Sequence, residues 1–180
     1  MKNNTELPWL EAGYEIFAKD GPNGLKVEHL ARKTGISKSS FYHLFTDMDI
    51  FREKLLEHHL VKAKLISEES KICKAIVPDV LELFIKEKIP LLFNRQLSIH
   101  RSNQLFQTYS DKAIAIVEAA YFDKWVDLLN LHTQQHIARN ILKIYTDNFL
   151  LRISEETLTY DWLLSLLDEI KVLVKDIQKP

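Results

Sequence analysis

All four glycines of this 180-residue chain, Gly13, Gly21, Gly24 and Gly35, lie near its N-terminus, and the stretch from Ile36 to Pro180 contains none. Tight hairpins, phosphate-cradling loops, dinucleotide fingerprints and strained nucleophile turns all rely on glycine for positive φ or close backbone approach. The glycine distribution therefore argues against several large enzyme classes and for a body of long helices. After Pro22 the internal prolines are Pro78 and Pro90, which suits helices broken at a few points.

The length fits one domain, or a small reading head on a larger helical body. With 46% hydrophobic and 27% charged residues, the chain has the balance of a soluble globular protein rather than a disordered or membrane one. No apolar run approaches the roughly 18 residues of a membrane span, and Met1–Pro8 carries no apolar signal core. The expected location is the cytoplasm, with no membrane partner. Cys73, the single cysteine, rules out an intrachain disulfide or a cysteine-based zinc cluster and reads as a buried small hydrophobe. No catalytic residue, metal or cofactor is expected.

In the N-terminal part, Pro8 suits a first helical turn, and Leu10, Gly13, Ile16 and Phe17 follow on one face. Asp20–Gly24 ends that helix. A short second helix presents Val27, Leu30, Ala31 and Thr34 inward and Lys26, Arg32 and Lys33 outward, and Gly35 closes it. Ser37 can cap a third, with Phe41 and Phe45 inward. Two short helices joined by a glycine turn make a helix-turn-helix. Net charge is only −1, yet between Lys26 and Leu44 four cations, Lys26, Arg32, Lys33 and Lys38, face the single anion Glu28.

A helix-turn-helix sets its second helix in the major groove, where short polar side chains allow close approach. Lys38 suits a phosphate or a guanine edge, Ser39 and Ser40 suit bases, and Tyr42 and His43 suit phosphate or thymine-methyl contacts. The expected DNA-binding set is Lys26, Ser37, Lys38, Ser39, Ser40, Tyr42 and His43.

The runs from Trp9 to Gly21, from Leu30 to Ser37 and from Ser40 to Phe45 together resemble a tetracycline-repressor (TetR) family DNA-binding domain, over roughly residues 8 to 56. Ile36, Ser37, Phe41 and Tyr42 fit the order in which that family follows its glycine turn. Three positions depart from it. Lys26 stands where serine or threonine commonly caps the second helix, Leu44 replaces a frequent histidine or tyrosine, and Met48 replaces a frequent lysine. The resemblance implies ordinary docking with shifted phosphate contacts.

Beyond the head, the pattern predicts a connecting helix from Asp47 to about Leu65, packed through Ile50, Phe51, Leu55 and His58. Further helices are predicted over 73–88, 91–106, 110–130, 134–152 and 159–177. The expected fold is all-α, with a helix-turn-helix domain over 1–46 and a helical effector-binding and dimerisation domain over 47–180. In the penultimate helix Ile137, Ile141, Ile144, Tyr145, Asn148 and Phe149 form one core-facing stripe. The last helix carries Leu163, Leu166, Ile170, Leu173 and Ile177, widened by Trp162, Leu167 and Val174. The resemblance implies that these two helices form a homodimer interface, and two-fold symmetry then implies a palindromic double-stranded operator.

It also implies a small-molecule effector among the body helices, for which Phe84, Phe106, Tyr109, Tyr121, Trp125 and Asn148 are the candidate contacts. Ordinary core packing uses the same side chains. His132 and His136 have a metal-compatible spacing but read as a solvated pair, while His58 and His59 read as structural. Three functions compete: a sequence-specific repressor released by a ligand, a helix-turn-helix module that contacts protein, and a small metalloenzyme at the histidine pair.

Overall fold

The computed structural model describes residues 5–177, with side chains through Lys175. Among these residues every regular element is helical. The head comprises α1 (Leu7–Asp20), a 3-10 turn (Pro22–Gly24), α2 (Val27–Thr34) and α3 (Lys38–Phe45). Pro8 lies in the first turn of α1, and Gly21 ends it at φ 67°, donating its N–H to Phe17 O. Gly35 closes α2 in the left-handed region at φ 71°, which glycine adopts without steric cost. Ser37 caps α3, accepting the Ser40 N–H at 3.3 Å.

Helix α4 (Met48–Ile72) starts at Asp47, whose carboxylate accepts the N–H groups of Asp49 and Ile50, each at 2.9 Å. Its first turns complete the head core. Phe51 lies 5.3 Å from Phe41 and 5.0 Å from Phe45, ring centre to ring centre, and Trp9 meets Phe41 edge-on at 5.4 Å. Gly13 makes room for this: a Cβ there would stand 2.5 Å from Phe51 Cζ. Farther along, α4 packs most extensively on α7. The helix runs to Ile72 rather than Leu65, and His59, not His58, is its fully buried histidine. Ile50, expected on the packed side, is exposed, because buried positions follow the line Phe51, Leu55, His59, Ala63, Ile66.

The body continues with a kinked turn (Ile76–Val80), α5 (Leu81–Lys86), α6 (Lys88–Ile99), α7 (Gln104–Leu129), α8 (Gln135–Arg152) and α9 (Tyr160–Ile177). The helix expected over 91–106 is divided. His100 ends α6 by donating its Nδ1–H to Gln96 O, and the Asn103 side chain caps α7 by accepting from Leu105 and Phe106. An Asx cap, not a glycine or proline, makes the break. Cys73, at the end of α4, is half-buried rather than buried. Among the described residues, no helix is long and apolar enough to cross a membrane.

Two stripes need correction. In α8, Ala138, Leu142, Tyr145 and Phe149 face the core, while Ile144, Asn148 and Leu151 stand outside with half-buried Ile137 and Ile141. In α9, Leu163, Leu166, Leu167 and Val174 are buried, but Leu173 is exposed beside Val172. Both helices thus carry an inner and an outer apolar seam, because they lie at the rim of the bundle. The Ile177 side chain lies outside the described residues.

Candidate nucleic-acid interface

Helix α3 is held from behind by Phe41 and Phe45, both fully buried. That fixes its other face. Lys38, Ser39, Tyr42 and His43, spaced three and four apart, share an exposed surface, and Tyr42 is 54% exposed although aromatic. Its ring leans edge-on against Phe41 at 5.6 Å, which holds the phenol outward. An exposed, oriented tyrosine between a lysine and a histidine suits a polyanion better than solvent alone.

Ser37 and Ser40 are tied together, hydroxyl to hydroxyl at 3.0 Å, at the start of the helix. Lys38 donates to Glu28 of α2 at 2.7 Å, which braces the two helices of the motif. The Lys38 ammonium holds the exposed Glu28 carboxyl below its ordinary value. Because both partners stand in water, a DNA phosphate can take the place of Glu28 at Lys38. Lys33 is likewise paired, with Glu15 of α1 at 2.7 Å. Lys26 precedes α2 with its side chain exposed and makes no side-chain cap. Lys26 thus stands at the N-terminal end of α2 and Ser37, Lys38, Ser39 and Ser40 at that of α3, while Tyr42 and His43 lie in the second half of α3 on its exposed face. Leu44 and Met48 pack against the core instead, so neither offers a phosphate contact.

The body holds a second feature, an apolar cavity of ≈ 50 Å³ between α4, α5, α6, α7 and α8. Of the six residues expected at an effector, Phe84 and Tyr121 line it. The others lie elsewhere. Phe106 packs edge-on to Phe17 near the head at 5.6 Å, and Tyr109 stands half-buried under Lys112. Trp125 is fully buried, donating its indole N–H to Ala138 O at 3.0 Å. Asn148, on the outer side of α8, accepts from Arg152.

Residues that sequence reasoning missed complete the cavity, notably His59, Asn94, Glu118, Tyr145 and Thr146. His59 was recoverable: it follows Phe51 and Leu55 at steps of four. Its Nδ1 accepts the Tyr14 hydroxyl at 2.7 Å, and its Nε2–H donates to Asn94 Oδ1 at 3.1 Å. Burial lowers the imidazole's pKa to about 4, outweighing the Asn94 bond, so the ring is neutral near pH 7. Burial, with Glu11 and Glu87 adding to it, keeps Tyr14 protonated and able to donate. A buried polar chain thus runs from α1 of the head through α4 to α6, with its middle member at the cavity wall.

His132 lies before α8, not on it, and both it and His136 are exposed. His132 Nδ1 is 3.7 Å from Asp127 Oδ1. Among the described residues no group of three histidine, cysteine, aspartate or glutamate side chains is placed to hold a metal.

Comparison with known proteins matches residues 10–54 to the family of bacterial regulatory proteins, tetR family. That segment takes in the head from Leu10 of α1 onward and the first turns of α4. A crystal structure from Rhodococcus sp., described as a TetR-family transcriptional regulator, superposes with a TM-score of 0.51 at 18% identity, covering 93% of this chain and 98% of that one. At that identity the likeness is one of fold. No curated protein matches the chain in sequence. Residues 10–54 are thus similar to the DNA-binding segment of the tetR-family regulatory proteins, and the all-helical fold is similar to that of a solved member of that family.

Proposed function

We propose that the protein is a sequence-specific repressor that binds a palindromic operator as a homodimer and is released by a small molecule in the body cavity. One observation carries the reading: His59 lines the cavity and is also hydrogen-bonded to Tyr14 of the head. A ligand that enlarges the cavity pushes on α4, and α4 supplies Phe51 to the head core that supports α3. Occupancy and the angle of the reading head are then linked through one rigid helix. A ligand shifts that balance only by its preference for one state over the other.

The dimer interface in this proposal is the outer seam of the last two helices. Ile137, Ile141, Ile144, Asn148 and Leu151 alternate at four and three residues, the spacing of a coiled-coil seam, and α9 adds exposed Val172 and Leu173. A second copy buries these groups, and the two-fold axis sets two α3 helices about one DNA turn apart, roughly 34–36 Å. The binding residues are Lys26, Ser37, Lys38, Ser39, Ser40, Tyr42 and His43.

The test is a selection from genomic fragments with the purified protein at near-physiological salt. The expected result is enrichment of a palindrome whose half-sites lie one turn apart, with affinity falling steeply as salt rises. No enrichment from an intact dimer would overturn the reading in favour of a helix-turn-helix scaffold that contacts protein. Leu44 and Met48, two positions that depart from the family's pattern, pack against the core rather than forming a surface for such a partner.

A further inference from the structure

We infer that the cavity takes a lipophilic ammonium ligand, whose charge sits against Glu118 and whose apolar groups meet the rings of Phe84, Tyr121, Tyr145 and Phe149. The inference rests on reading the cavity as the effector site, and it adds the chemical class of the effector. Glu118 lies on the cavity face of α7, one turn from Ile114 and beside Val117 and Tyr121. Its Oε1 accepts the Thr146 hydroxyl from α8. No lysine or arginine lines the cavity, and no ion pair to Glu118 forms among the described residues. Arg139 and Lys143, exposed on α8, act on Glu118 only from outside, and the Arg139 guanidinium is engaged over the Phe122 ring at 4.1 Å.

Glu118 therefore borders an apolar space whose lining holds no counter-charge, with its carboxylate bonded to Thr146. Burial pushes the Glu118 carboxyl above its ordinary value, a rise opposed by the Thr146 bond and by Arg139 and Lys143, and aided by Asp147. An ammonium placed beside it stabilises the ionised form. The rings form the rest of the receptor. Phe84 meets Tyr121 at 5.9 Å and Phe149 at 6.1 Å, and Tyr145 stacks on Phe149 at 6.2 Å. Ring faces attract alkylated cations, which give up little hydration on burial. An anion meets the opposite situation, a carboxylate and neutral phenols with no cation to compensate it.

At ≈ 50 Å³ the cavity is about a third of the ~150 Å³ that admits benzene. A substituted ammonium therefore enters only as the lining helices move apart. His59, on α4, is one of the groups displaced. Binding and movement of the head are then a single event.

Three probes test this: phenyltrimethylammonium, its uncharged carbon isostere tert-butylbenzene, and the anion 4-tert-butylbenzoate, which adds a carboxylate to the isostere. Each is titrated calorimetrically into the full chain near neutral pH. We expect the cation to bind at least about tenfold more tightly than the isostere, and Glu118→Gln to erase that preference while leaving the isostere within about twofold. Equal or tighter binding of either comparator, a preference that survives Glu118→Gln, or no binding of the cation would each overturn the inference. Should the substituted protein fail to fold, the ranking of the three probes by the unsubstituted chain decides alone. Operator release is measured separately: a cation that binds without releasing DNA leaves the ligand class standing and removes the effector role.

Discussion

Around Phe51 the head is packed ring against ring with no space for a Cβ on Gly13, whereas about two turns farther along the same helix His59 borders a cavity and a buried polar chain. One helix thus serves two cores of opposite character. A core of interlocked aromatic rings has few alternative packings, which suits a platform that must present Tyr42 and its neighbours at a fixed angle. A core with a void and a satisfied polar network can repack when something enters it. Under the proposed function, this difference would put rigidity at the head and compliance at the cavity, with α4 between them.

The largest expected effect lies in the rigid core. Phe51→Ala removes a fully buried ring from contact with Phe41 and Phe45 and is expected to cost about 3–5 kcal/mol in denaturant unfolding, with loss of DNA binding. Phe84→Ala, which opens onto a cavity that already exists, is expected to cost less. Equal costs would show that the two cores do not differ in how tightly they are packed.

Acid should separate the cores next. The His59 pKa falls from an ordinary 6.5 to about 4 on folding, so between these values the unfolded chain holds a proton that the native chain does not. Stability from this residue is complete above about pH 6.5 and is lost as pH falls toward 4, by about 3 kcal/mol in total. His58, whose pKa burial also lowers against the pull of Glu11, acts in the same direction. Unfolding curves across this range should flatten in His59→Gln, and an unchanged slope there would assign the acid sensitivity to other groups.

The head was legible because its signals are local: proline in the first turn, glycine at a left-handed helix end, serine at a cap, and an ordered run from Ile36 to Tyr42. Each acts within a few residues, so sequence order carries it. The body cavity depends instead on which sides of five helices converge, and apolar side chains on either seam of α8 look alike in sequence. Asn148 illustrates this, for its neighbour Phe149 points inward while it points out. Trp125 and Phe106 are aromatic and buried, yet each fills a different part of the core. The divided helix at His100–Asn103 escaped because an Asx cap is a weaker signal than glycine or proline.

Two substitutions in the head, each with an expected cost of about 1–3 kcal/mol, should affect different measurements. Gly13→Ala would set a methyl 2.5 Å from Phe51 Cζ, and the strain should appear as lost stability. Tyr42→Ala removes an exposed ring, so DNA binding should weaken while thermal unfolding stays where it was. If Tyr42→Ala instead lowers the melting temperature, its contact with Phe41 supports the core and the outward face of α3 is smaller than argued above.

The smallest expected effect reverses the sign seen in the head. Ala113 is buried on the cavity face of α7, and Ala113→Val adds two carbons where there is already room. Burying them contributes about 1–1.5 kcal/mol, and imperfect fit removes much of that, so a net stabilisation of up to about 1 kcal/mol is expected in denaturant unfolding. Adding carbon at Gly13 destabilises and adding it at Ala113 does not, because one site lacks space and the other lacks atoms. The same filling should blunt any ligand-induced release from DNA while leaving unliganded DNA binding intact, since α3 and Phe51 are untouched. A destabilisation at Ala113 as large as that at Gly13 would mean the body is packed as tightly as the head, and compliance would have to be sought outside the cavity.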